Sequence, residues 1–370
     1  MSSLFTPIRL RELALPNRIM VAPMCQYSAE NGRANDWHFT HINMLCLSGA
    51  AMFCIEATHV EAIGRITPGC LGLWNDATEA ALRPIFASVR KHSKIAVAMQ
   101  LAHSGRKGSS YRPWEGGQQI PLANGGWQTE GPSDVPHKEA EQAPHALDAR
   151  GLKRVHDAFV EATRRANRLG VDAIELHSAH GYLLHQFLSP ISNKRTDKYG
   201  GSLQNRMRYP LEVFDAVRAV FPAKKPVGVK VSATDWVEGG WDLDQTIAFA
   251  KELKKRGVDW IDVSSGGVSP LQKIPAAPGY QVPFAQAIKE KADVTTMAVG
   301  LITEARQAEE IVASGKADMV ALARGMLYDP RWAWHAAAEL GGEAYAPPQY
   351  WRSQPSTQKQ LFGATTFGAR

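Results

Sequence analysis

Eight short apolar runs recur along this 370-residue chain, with amphipathic stretches of helical pattern between them. Apolar runs of this length alternating with helices are typical of parallel strands that are buried on both faces of the sheet. The runs are RIMVAPM (18–24), AAMFCIEA (50–57), IAVAMQLA (95–102), VDAIELH (171–177), PVGVKVS (226–232), VDWIDVS (258–264), VTTMAVG (294–300) and ADMVALAR (317–324). Eight strand–helix units are the number that closes a barrel. The sequence therefore predicts an α/β fold, the (β/α)8 TIM barrel.

The intervening segments support this prediction and locate the functional end of the barrel. Residues 152–170 carry an apolar stripe at spacings of three and four and end at Gly170, a typical helix cap. Two long connections, 103–148 and 178–205, follow the third and fourth runs, at the rim where barrel enzymes build their active sites. We expect residues 1–345 to form the barrel and residues 346–370, which show little periodicity, to form a tail.

Composition and charge exclude several classes of protein. The net charge is +6, but the basic residues alternate with acidic ones, as in KELKKRGVD (251–259), so we expect no nucleic-acid partner. No apolar run is long enough to cross a bilayer, and we expect no membrane partner. The first residues contain no apolar run of signal-peptide length, and the four cysteines form no CxxC pattern. These features predict a cytoplasmic protein with free thiols.

Nucleotide-binding motifs are missing from the sequence. No two glycines are separated by a single residue, which excludes the GxGxxG fingerprint, and Gly315-Lys316 is followed by Ala317 rather than Ser or Thr. A phosphate site is nevertheless expected where barrels often have one, after the seventh and eighth strands. Gly300 ends the seventh run, and Arg324 with Gly325 follows the eighth. The alternative to a phosphate site is that Gly300 and Gly325 only permit tight turns.

Polar side chains follow several of the predicted strands, and eight parallel strands bring their carboxyl ends to one rim. They are Cys25, Tyr27, Gln100, His177, His180, Tyr182, Lys230 and Arg324. The densest group is HSAHGYLLHQ (177–186). Its histidines suit a zinc site, a set of hydrogen-bonded structural imidazoles, or a catalytic group in which two imidazoles bind a substrate oxygen and a phenol donates a proton. We favour the catalytic interpretation and expect no metal.

Several long motifs together resemble a known family, the FMN-dependent ene-reductases called old yellow enzymes. They are APMCQY, GRITPGC, QLAHSGRK, HSAHGYLLHQFLSP and NKRTDKYGGSLQNRMRYPLEV, and they occur in the family's order. The match is closest to the small bacterial branch that includes the xenobiotic reductases. It runs from LFTPIRLREL near the start to ARGMLYDP near residue 330.

The resemblance implies a set of cofactor and substrate contacts. FMN would be bound by Ala22, Pro23, Met24, Cys25, Ala57, Gln100 and Lys230, and its phosphate by Gly300, Leu301, Ala323, Arg324 and Gly325. Tyr27, His177 and His180 would contact the substrate, and Tyr182 would be the proton donor. NAD(P)H would supply the hydride in a ping-pong reduction of activated alkenes, the C=C bonds of α,β-unsaturated carbonyl or nitro compounds. A metal-dependent barrel hydrolase and a slow flavin redox sensor acting through Cys25 are the alternatives.

Two positions depart from the family pattern, whereas a segment of the tail follows it. Lys230 stands where the family usually has Arg. Lysine keeps the positive charge but lacks the planar fork of the guanidinium. Ala323 stands where Gly is usual. The tail segment APPQYWRS (346–353) resembles a motif whose arginine reaches the active site of a neighbouring subunit. It assigns that role to Arg352, with Trp351 as a second candidate, and implies a homo-oligomer, a dimer or tetramer.

Overall fold

A closed barrel of eight parallel strands forms the centre of the protein in the computed structural model, which describes residues 2–363 and 365. The strands are β1 (Ile8–Leu10), β2 (Leu13–Leu15), β3 (Ile19–Val21), β4 (Met52–His59), β5 (Ala96–Ala102), β6 (Glu130–Gly131), β7 (His145–Ala146), β8 (Ala173–Ser178), β9 (Val227–Ser232), β10 (Trp260–Ser264), β11 (Thr296–Ala298) and β12 (Met319–Leu322). Around the barrel the order is β3, β4, β5, β8, β9, β10, β11 and β12, and β12 pairs with β3 to close it. The predicted (β/α)8 barrel is confirmed, and each apolar run overlaps one barrel strand.

Ten α-helices accompany the strands in the described part of the chain. They are α1 (Asp36–Cys46), α2 (Asp76–His92), α3 (Ala149–Leu169), α4 (Leu183–Leu188), α5 (Leu203–Val220), α6 (Leu243–Lys255), α7 (Val282–Ala292), α8 (Ala305–Ala313), α9 (Arg324–Tyr328) and α10 (Trp332–Leu340). The helix predicted over 152–170 is α3, which starts three residues earlier because Asp148 caps it by accepting from the Gly151 N–H at 2.7 Å. Gly170, at φ +82°, ends it as expected. None of the helices described is both long and apolar enough to cross a membrane.

The interior of the barrel is filled by side chains that alternate along each strand. Small residues and methionines surround the fully buried Trp260, and Leu10 and Leu15 of the β1–β2 hairpin join this cluster. The hairpin therefore closes the amino-terminal end of the barrel and leaves the carboxyl rim for the site. Gly228 makes room for Trp260, because a Cβ there would lie only 2.0 Å from the indole ring. The sequence analysis did not predict the hairpin.

The tail packs against its own chain as far as the structure describes it. Leu361 and Phe362 contact Trp334 of α10, and the Phe362 and Trp334 rings are 4.8 Å apart at their centroids. The Trp351 indole N–H donates to the Ala346 carbonyl at 3.0 Å. Residues 364 and 366–370 of the predicted tail lie outside the described residues. The division at residue 345 stays a prediction.

Candidate active site

The barrel register places the predicted polar residues in layers at the carboxyl rim. Gln100 of β5 pairs with Glu175 of β8, and His177, two residues further along β8, pairs with Lys230 of β9. Because side chains alternate along a strand, Glu175 and His177 point to the same side, into the barrel. Glu175, Gln100 and Lys230 form a lower layer, and His177 lies above them. The strand order, rather than proximity in sequence, thus assembles the site.

Three aromatic rings from HSAHGYLLHQ form a cluster above this layer. The His177 ring is 5.1 Å from the His180 ring and 5.0 Å from the Tyr182 ring, and it is nearly perpendicular to both, at 87° and 85°. His177 is the last residue but one of β8, whereas His180 and Tyr182 belong to the turn that leads into α4. The structure therefore brings together the two imidazoles and the phenol that the sequence singled out.

Both imidazoles are held in the neutral form. Burial lowers the pKa of His177 well below its ordinary value, and the neighbouring His180 imidazole and the Lys230 ammonium lower it further. Burial also lowers the pKa of His180, with Lys230 and Lys107 adding to the effect. A neutral imidazole carries one N–H donor. His177 Nδ1 accepts from the Ala179 N–H at 3.3 Å, so its proton is on Nε2, which has no protein partner among the described residues.

His180 already has a side-chain partner. Its Nε2 lies 2.7 Å from Ser264 Oγ of β10, and its backbone N–H donates to Ser232 Oγ of β9 at 2.9 Å. These two contacts fix the turn to the neighbouring strands. His177 is therefore the imidazole with a free donor, and His180 lies beside it with its Nε2 engaged.

Tyr182 lies beneath a buried ammonium group. Lys107 Nζ is 5.1 Å from the centre of the Tyr182 ring and donates to the carbonyls of His180 (2.9 Å) and Gly267 (2.8 Å). Burial, followed by the nearby Cys25 and Cys70, raises the pKa of Tyr182 above its ordinary value. The phenol is therefore protonated throughout the physiological range and carries a proton that it can donate.

The backbone of the turn is held in a left-handed conformation. His180 and Gly181 have φ values of +58° and +74°, and a Cβ on Gly181 would lie 2.2 Å from the Gly267 carbonyl oxygen. The Gly181 N–H donates to His185 Nδ1 at 2.8 Å, and His185 Nε2 lies 2.9 Å from Asp235 Oδ1. His185 thus faces Asp235 and supports the turn from beneath, apart from His177 and His180.

A network of charged groups occupies the layer below the rings. The Lys230 ammonium forms an ion pair with Asp262, its register partner on β10, and both side chains are buried. Gln100 Nε2 donates to Glu175 at 2.8 Å, and the Trp260 indole N–H donates to its other oxygen at 3.3 Å. Burial, then the charge of Asp262, raises the pKa of Glu175 to about 7. The positive charge expected at the flavin edge is therefore balanced by Asp262.

The segment after β3 forms another wall of the site. Ala22 is buried, and Pro23, Met24 and Cys25 follow it; the Gln26 N–H donates to Glu56 of β4 at 2.9 Å. Ala57 lies in a bulge of β4, where the pairing with β5 shifts between Ile55 and Thr58. Bulges at strand ends commonly redirect side chains beside active sites. All the positions expected to contact the flavin on this side therefore lie at the carboxyl ends of β3 and β4.

Cys25 and Tyr27 line this wall. Burial raises the pKa of the Cys25 thiol well above its ordinary value, and Cys70 and Glu56 raise it further. The thiol is therefore protonated at neutral pH. Tyr27 has a φ of +51°, its carbonyl accepts from Arg112 Nε at 2.9 Å, and its ring contacts Trp114 edge to face at 5.9 Å. None of the four cysteines forms a disulfide, as predicted.

The loops after β11 and β12 fit a phosphate group. Gly300 and Leu301 are consecutive left-handed residues, at φ +118° and +50°, and their N–H groups have no acceptor among the described residues. Arg324 is exposed and, within the described chain, has no hydrogen-bond or ion-pair partner. A Cβ on Gly325 would have no neighbour closer than 3.9 Å. Unpaired backbone donors, an arginine and open space are what a phosphate needs. Ala323 has a negative φ of −104°, so this position does not need the left-handed conformation that favours glycine.

The metal-site alternative is not favoured by the arrangement of the histidines. His185 is directed to Asp235, which leaves only two imidazoles in the cluster. The set of described residues whose geometry suits a metal is Glu61, His103 and Glu130, outside the predicted site. Arg154 forms ion pairs with both of these glutamates, which already balances their charge.

Sequence reasoning missed four charged residues in or beside the site. Glu175 and Asp262 each lie two residues before a rim residue on their strands, His177 and Ser264, so period-two alternation was the available signal. Lys107 and Arg106 lie in the QLAHSGRK motif, but their partners are distant loop carbonyls. Nothing local in the sequence marks those contacts.

Comparisons with known proteins identify the family of the chain. Residues 3–343 match the model of the NADH:flavin oxidoreductase / NADH oxidase family. The chain is 42% identical over 351 residues to an NADPH dehydrogenase of Geobacillus sp., covering 94% of this chain and 98% of the relative. It is also 42% identical over 355 residues to an NADPH dehydrogenase of Listeria innocua, covering 95% of this chain and 99% of that relative.

Solved structures give the same assignment. A structure of morphinone reductase is 28% identical, has a TM-score of 0.76, and covers 96% of this chain and 93% of its own. A complex of morphinone reductase with tetrahydroNAD is also 28% identical, with a TM-score of 0.74. The chain therefore belongs to the NADH:flavin oxidoreductase / NADH oxidase family, as an NAD(P)H-dependent FMN oxidoreductase of the old yellow enzyme type.

Proposed function

We propose that this enzyme reduces the C=C bond of α,β-unsaturated carbonyl or nitro compounds in a ping-pong reaction. The observation that carries the proposal is the position of the His177 ring, 5.1 Å from His180 and 5.0 Å from Tyr182. One hydrogen-bond donor for an oxygen and one protonated phenol are thereby placed on the same side of the barrel mouth. FMN, when bound, accepts a hydride from NAD(P)H and later supplies one to the alkene.

His177 binds the substrate oxygen through its Nε2–H. Because the imidazole is neutral and its other nitrogen is occupied by the Ala179 N–H, the donor has a fixed position and cannot be lost to tautomerisation. A hydrogen bond to the carbonyl or nitro oxygen withdraws electrons from the double bond and stabilises the negative charge that develops on that oxygen. His180 would join this contact by exchanging its Ser264 partner for the substrate.

Tyr182 protonates the α-carbon while the hydride reaches the β-carbon. The burial that raises the pKa of Tyr182 keeps its proton on the phenol until a strong base, the developing carbanion, is within reach. The Lys107 ammonium above the ring stabilises the phenolate left by this transfer through its positive charge. The Cys25 thiol is protonated, which supports a role in contacting the flavin over that of a reactive redox sensor.

The protein acts as a cytoplasmic homo-oligomer in this proposal, with Arg352 serving a neighbouring subunit. Arg352 is exposed and, within the described chain, has no hydrogen-bonding partner. On α9, the neighbouring residues Leu327 and Tyr328 are 45% and 94% exposed, and adjacent exposed side chains of this size are ones that a subunit contact could cover. Sedimentation of the holoprotein tests the assembly, and a purely monomeric protein would contradict it.

Product analysis tests the reaction. The holoprotein is incubated anaerobically with NADPH and either 2-cyclohexenone or 1-nitrocyclohexene, and the products are identified by mass spectrometry. We expect the saturated ketone and the saturated nitro compound, one for each NADPH consumed. NADPH oxidation by oxygen, with both alkenes recovered unchanged, would leave the enzyme a flavin oxidoreductase but contradict the proposed reduction of alkenes.

A further inference from the structure

A basic cavity of about 370 Å³ lies beside the ring cluster, between the segment after β3 and the loop that follows β5. Tyr27 and Lys107 belong to its lining, together with Arg106, His137, Lys138 and Glu141. Lys107 connects it to the proposed reaction centre, because its ammonium lies 5.1 Å from the Tyr182 ring. The cavity and the ring cluster therefore share Lys107 in their common wall.

Arg106 is the most unusual group in the cavity wall. It is only 3% exposed, and its terminal nitrogens donate to the carbonyls of Val135, Pro136 and Val268 at 2.6–3.1 Å. Its Nε–H is buried and has no acceptor among the residues described. No carboxylate of the described chain lies within ion-pair distance of this guanidinium. A buried cation whose hydrogen bonds go only to carbonyls is costly, and an anion that joined it would lower that cost.

Lys107 repeats this pattern next to Arg106. Its ammonium is bonded to two carbonyls, those of His180 and Gly267, and to no carboxylate. Burial, then the charge of Arg106, lowers the pKa of Lys107 to about 8. Burial, followed by the charges of Lys107 and Arg106, lowers the pKa of His137 to about 3, so this imidazole is neutral. Two buried cations thus lie side by side in one wall.

The remaining charges of the cavity do not cancel this excess. Lys138 contributes a third cation at the entrance, with its side chain 52% exposed, and Glu141 is the single carboxylate among the lining residues, 3.7 Å from Lys138. Three cations against one anion leave a net positive charge in a confined space. Such a site favours an anionic group, which gains more from the charges there than it would in water.

We propose that this cavity binds an anionic group, a carboxylate or phosphate, carried by a ligand whose reactive part lies against Tyr182. The inference rests on the proposed function, because that function places the reacting ligand at Tyr182. Two ligands of the enzyme can carry such a group. One is a carboxylate-bearing alkene substrate, and the other is the phosphorylated part of the nicotinamide dinucleotide.

The test measures equilibrium binding to the holoprotein by the change in flavin absorbance, without turnover. The first pair of ligands is (E)-4-oxopent-2-enoic acid and its methyl ester, which differ by one negative charge. The second pair is the unreactive tetrahydro derivatives of NADP and NAD, which differ by one phosphate. Because no product is measured, failure of alkene reduction and failure of anion binding are separate results.

Two substitutions of opposite sign probe the cavity. Lys138→Gln removes a cation and is expected to raise the Kd of the anionic member of a pair about threefold to tenfold, while the Kd of its less charged partner changes by less than about twofold. Glu141→Gln removes the carboxylate and is expected to lower the same Kd. Lys153→Gln on α3, which also removes one exposed ammonium, is the matched control and should leave all four Kd values unchanged.

The pattern of effects decides the source of the anion. A shift confined to the acid–ester pair supports a substrate carboxylate, and one confined to the NADP–NAD pair supports the phosphate of the dinucleotide. Shifts in both pairs support an anion site shared by the two half-reactions. The proposal is overturned if neither cavity substitution changes either pair, or if Lys138→Gln and Glu141→Gln change the Kd values in the same direction.

Discussion

Lys230 and Asp262 form a buried ion pair across the register of β9 and β10, beneath the proposed flavin edge. Their side chains are only 6% and 0% exposed. The lysine is therefore held by a carboxylate of the barrel interior rather than left free. The positive charge near the flavin consequently depends on both residues, and removing either leaves the other buried without compensation.

Lys230→Met is expected to lower the free energy of unfolding by about 3–5 kcal/mol, because Asp262 loses its partner. The double variant Lys230→Met/Asp262→Asn should recover much of this loss, since no buried charge remains unpaired. Equilibrium urea unfolding of the holoprotein measures both values. Equal losses in the single and double variants would show that the pair contributes no coupling. Lys230→Arg, which retains the charge, is the conservative control.

Glu175 is expected to make stability fall as pH rises between about 5 and 7. Burial and the charge of Asp262 raise its pKa from 4.5 in the ordinary case to about 7, so the folded state binds the proton more tightly than the unfolded chain does. The resulting stabilisation is fully present below the ordinary pKa and is lost as pH passes the raised value, with a slope of at most about 1.4 kcal/mol per pH unit.

Glu175→Gln should remove this slope, because the amide has no proton to lose. Urea unfolding of the holoprotein at several pH values gives the two curves. Glu161→Gln on the exposed side of α3, where the side chain is 54% exposed, is the matched control. Curves for Glu175→Gln and the wild type that stay parallel from pH 5 to 7 would contradict the raised pKa.

Gly181→Ala is expected to damage the His180–Tyr182 turn. The residue has a left-handed φ of +74°, and the added Cβ would lie 2.2 Å from the Gly267 carbonyl oxygen, so the turn must move. Gly170→Ala is the matched control, since Gly170 also has a positive φ, +82°, but has no atom within 4 Å of an added Cβ. The control should lose only about 1 kcal/mol of unfolding free energy. We expect Gly181→Ala to lose more stability and also alkene turnover, and equal effects in the two variants would refute the crowding argument.

Arg324→Ala is expected to weaken FMN binding about tenfold to hundredfold, the usual effect of losing a charge-assisted hydrogen bond to phosphate. Titration of the apoprotein with FMN, followed by quenching of flavin fluorescence, gives the dissociation constant. Arg306→Ala on α8, where the arginine side chain is 82% exposed and pairs with Glu339, controls for the loss of one surface charge. An unchanged affinity in Arg324→Ala would place the phosphate elsewhere.

The barrel was predictable from the sequence because each buried parallel strand requires an apolar run of its own, and eight such runs could be counted. The β1–β2 hairpin was not predictable in the same way. Its strands, Ile8–Leu10 and Leu13–Leu15, have three residues each, too few to show a period, and the hairpin is stabilised by packing on the barrel interior. Tertiary packing of this kind leaves little trace in a short segment.

The candidate site was predictable where chemistry and topology coincide in one segment, as in HSAHGYLLHQ. It was not predictable where a contact joins distant loops. Lys107 donates to Gly267, 160 positions away, and Arg106 donates to Val268, 162 positions away. His180 meets Ser264, 84 positions away. Such contacts depend on how the loops fold over the barrel mouth, so the basic cavity could be recognised only in three dimensions.

The two half-reactions of Tyr182→Phe, measured separately by stopped-flow absorbance of the flavin, test the central claim most directly. The substitution removes the phenolic proton but retains the ring that contacts His177. We expect reduction by NADPH to keep its rate within about twofold and reoxidation by 2-cyclohexenone to slow by about 10²-fold or more, the usual contribution of a general acid. Reoxidation by the enone at the wild-type rate would contradict the assignment of Tyr182 as the proton donor.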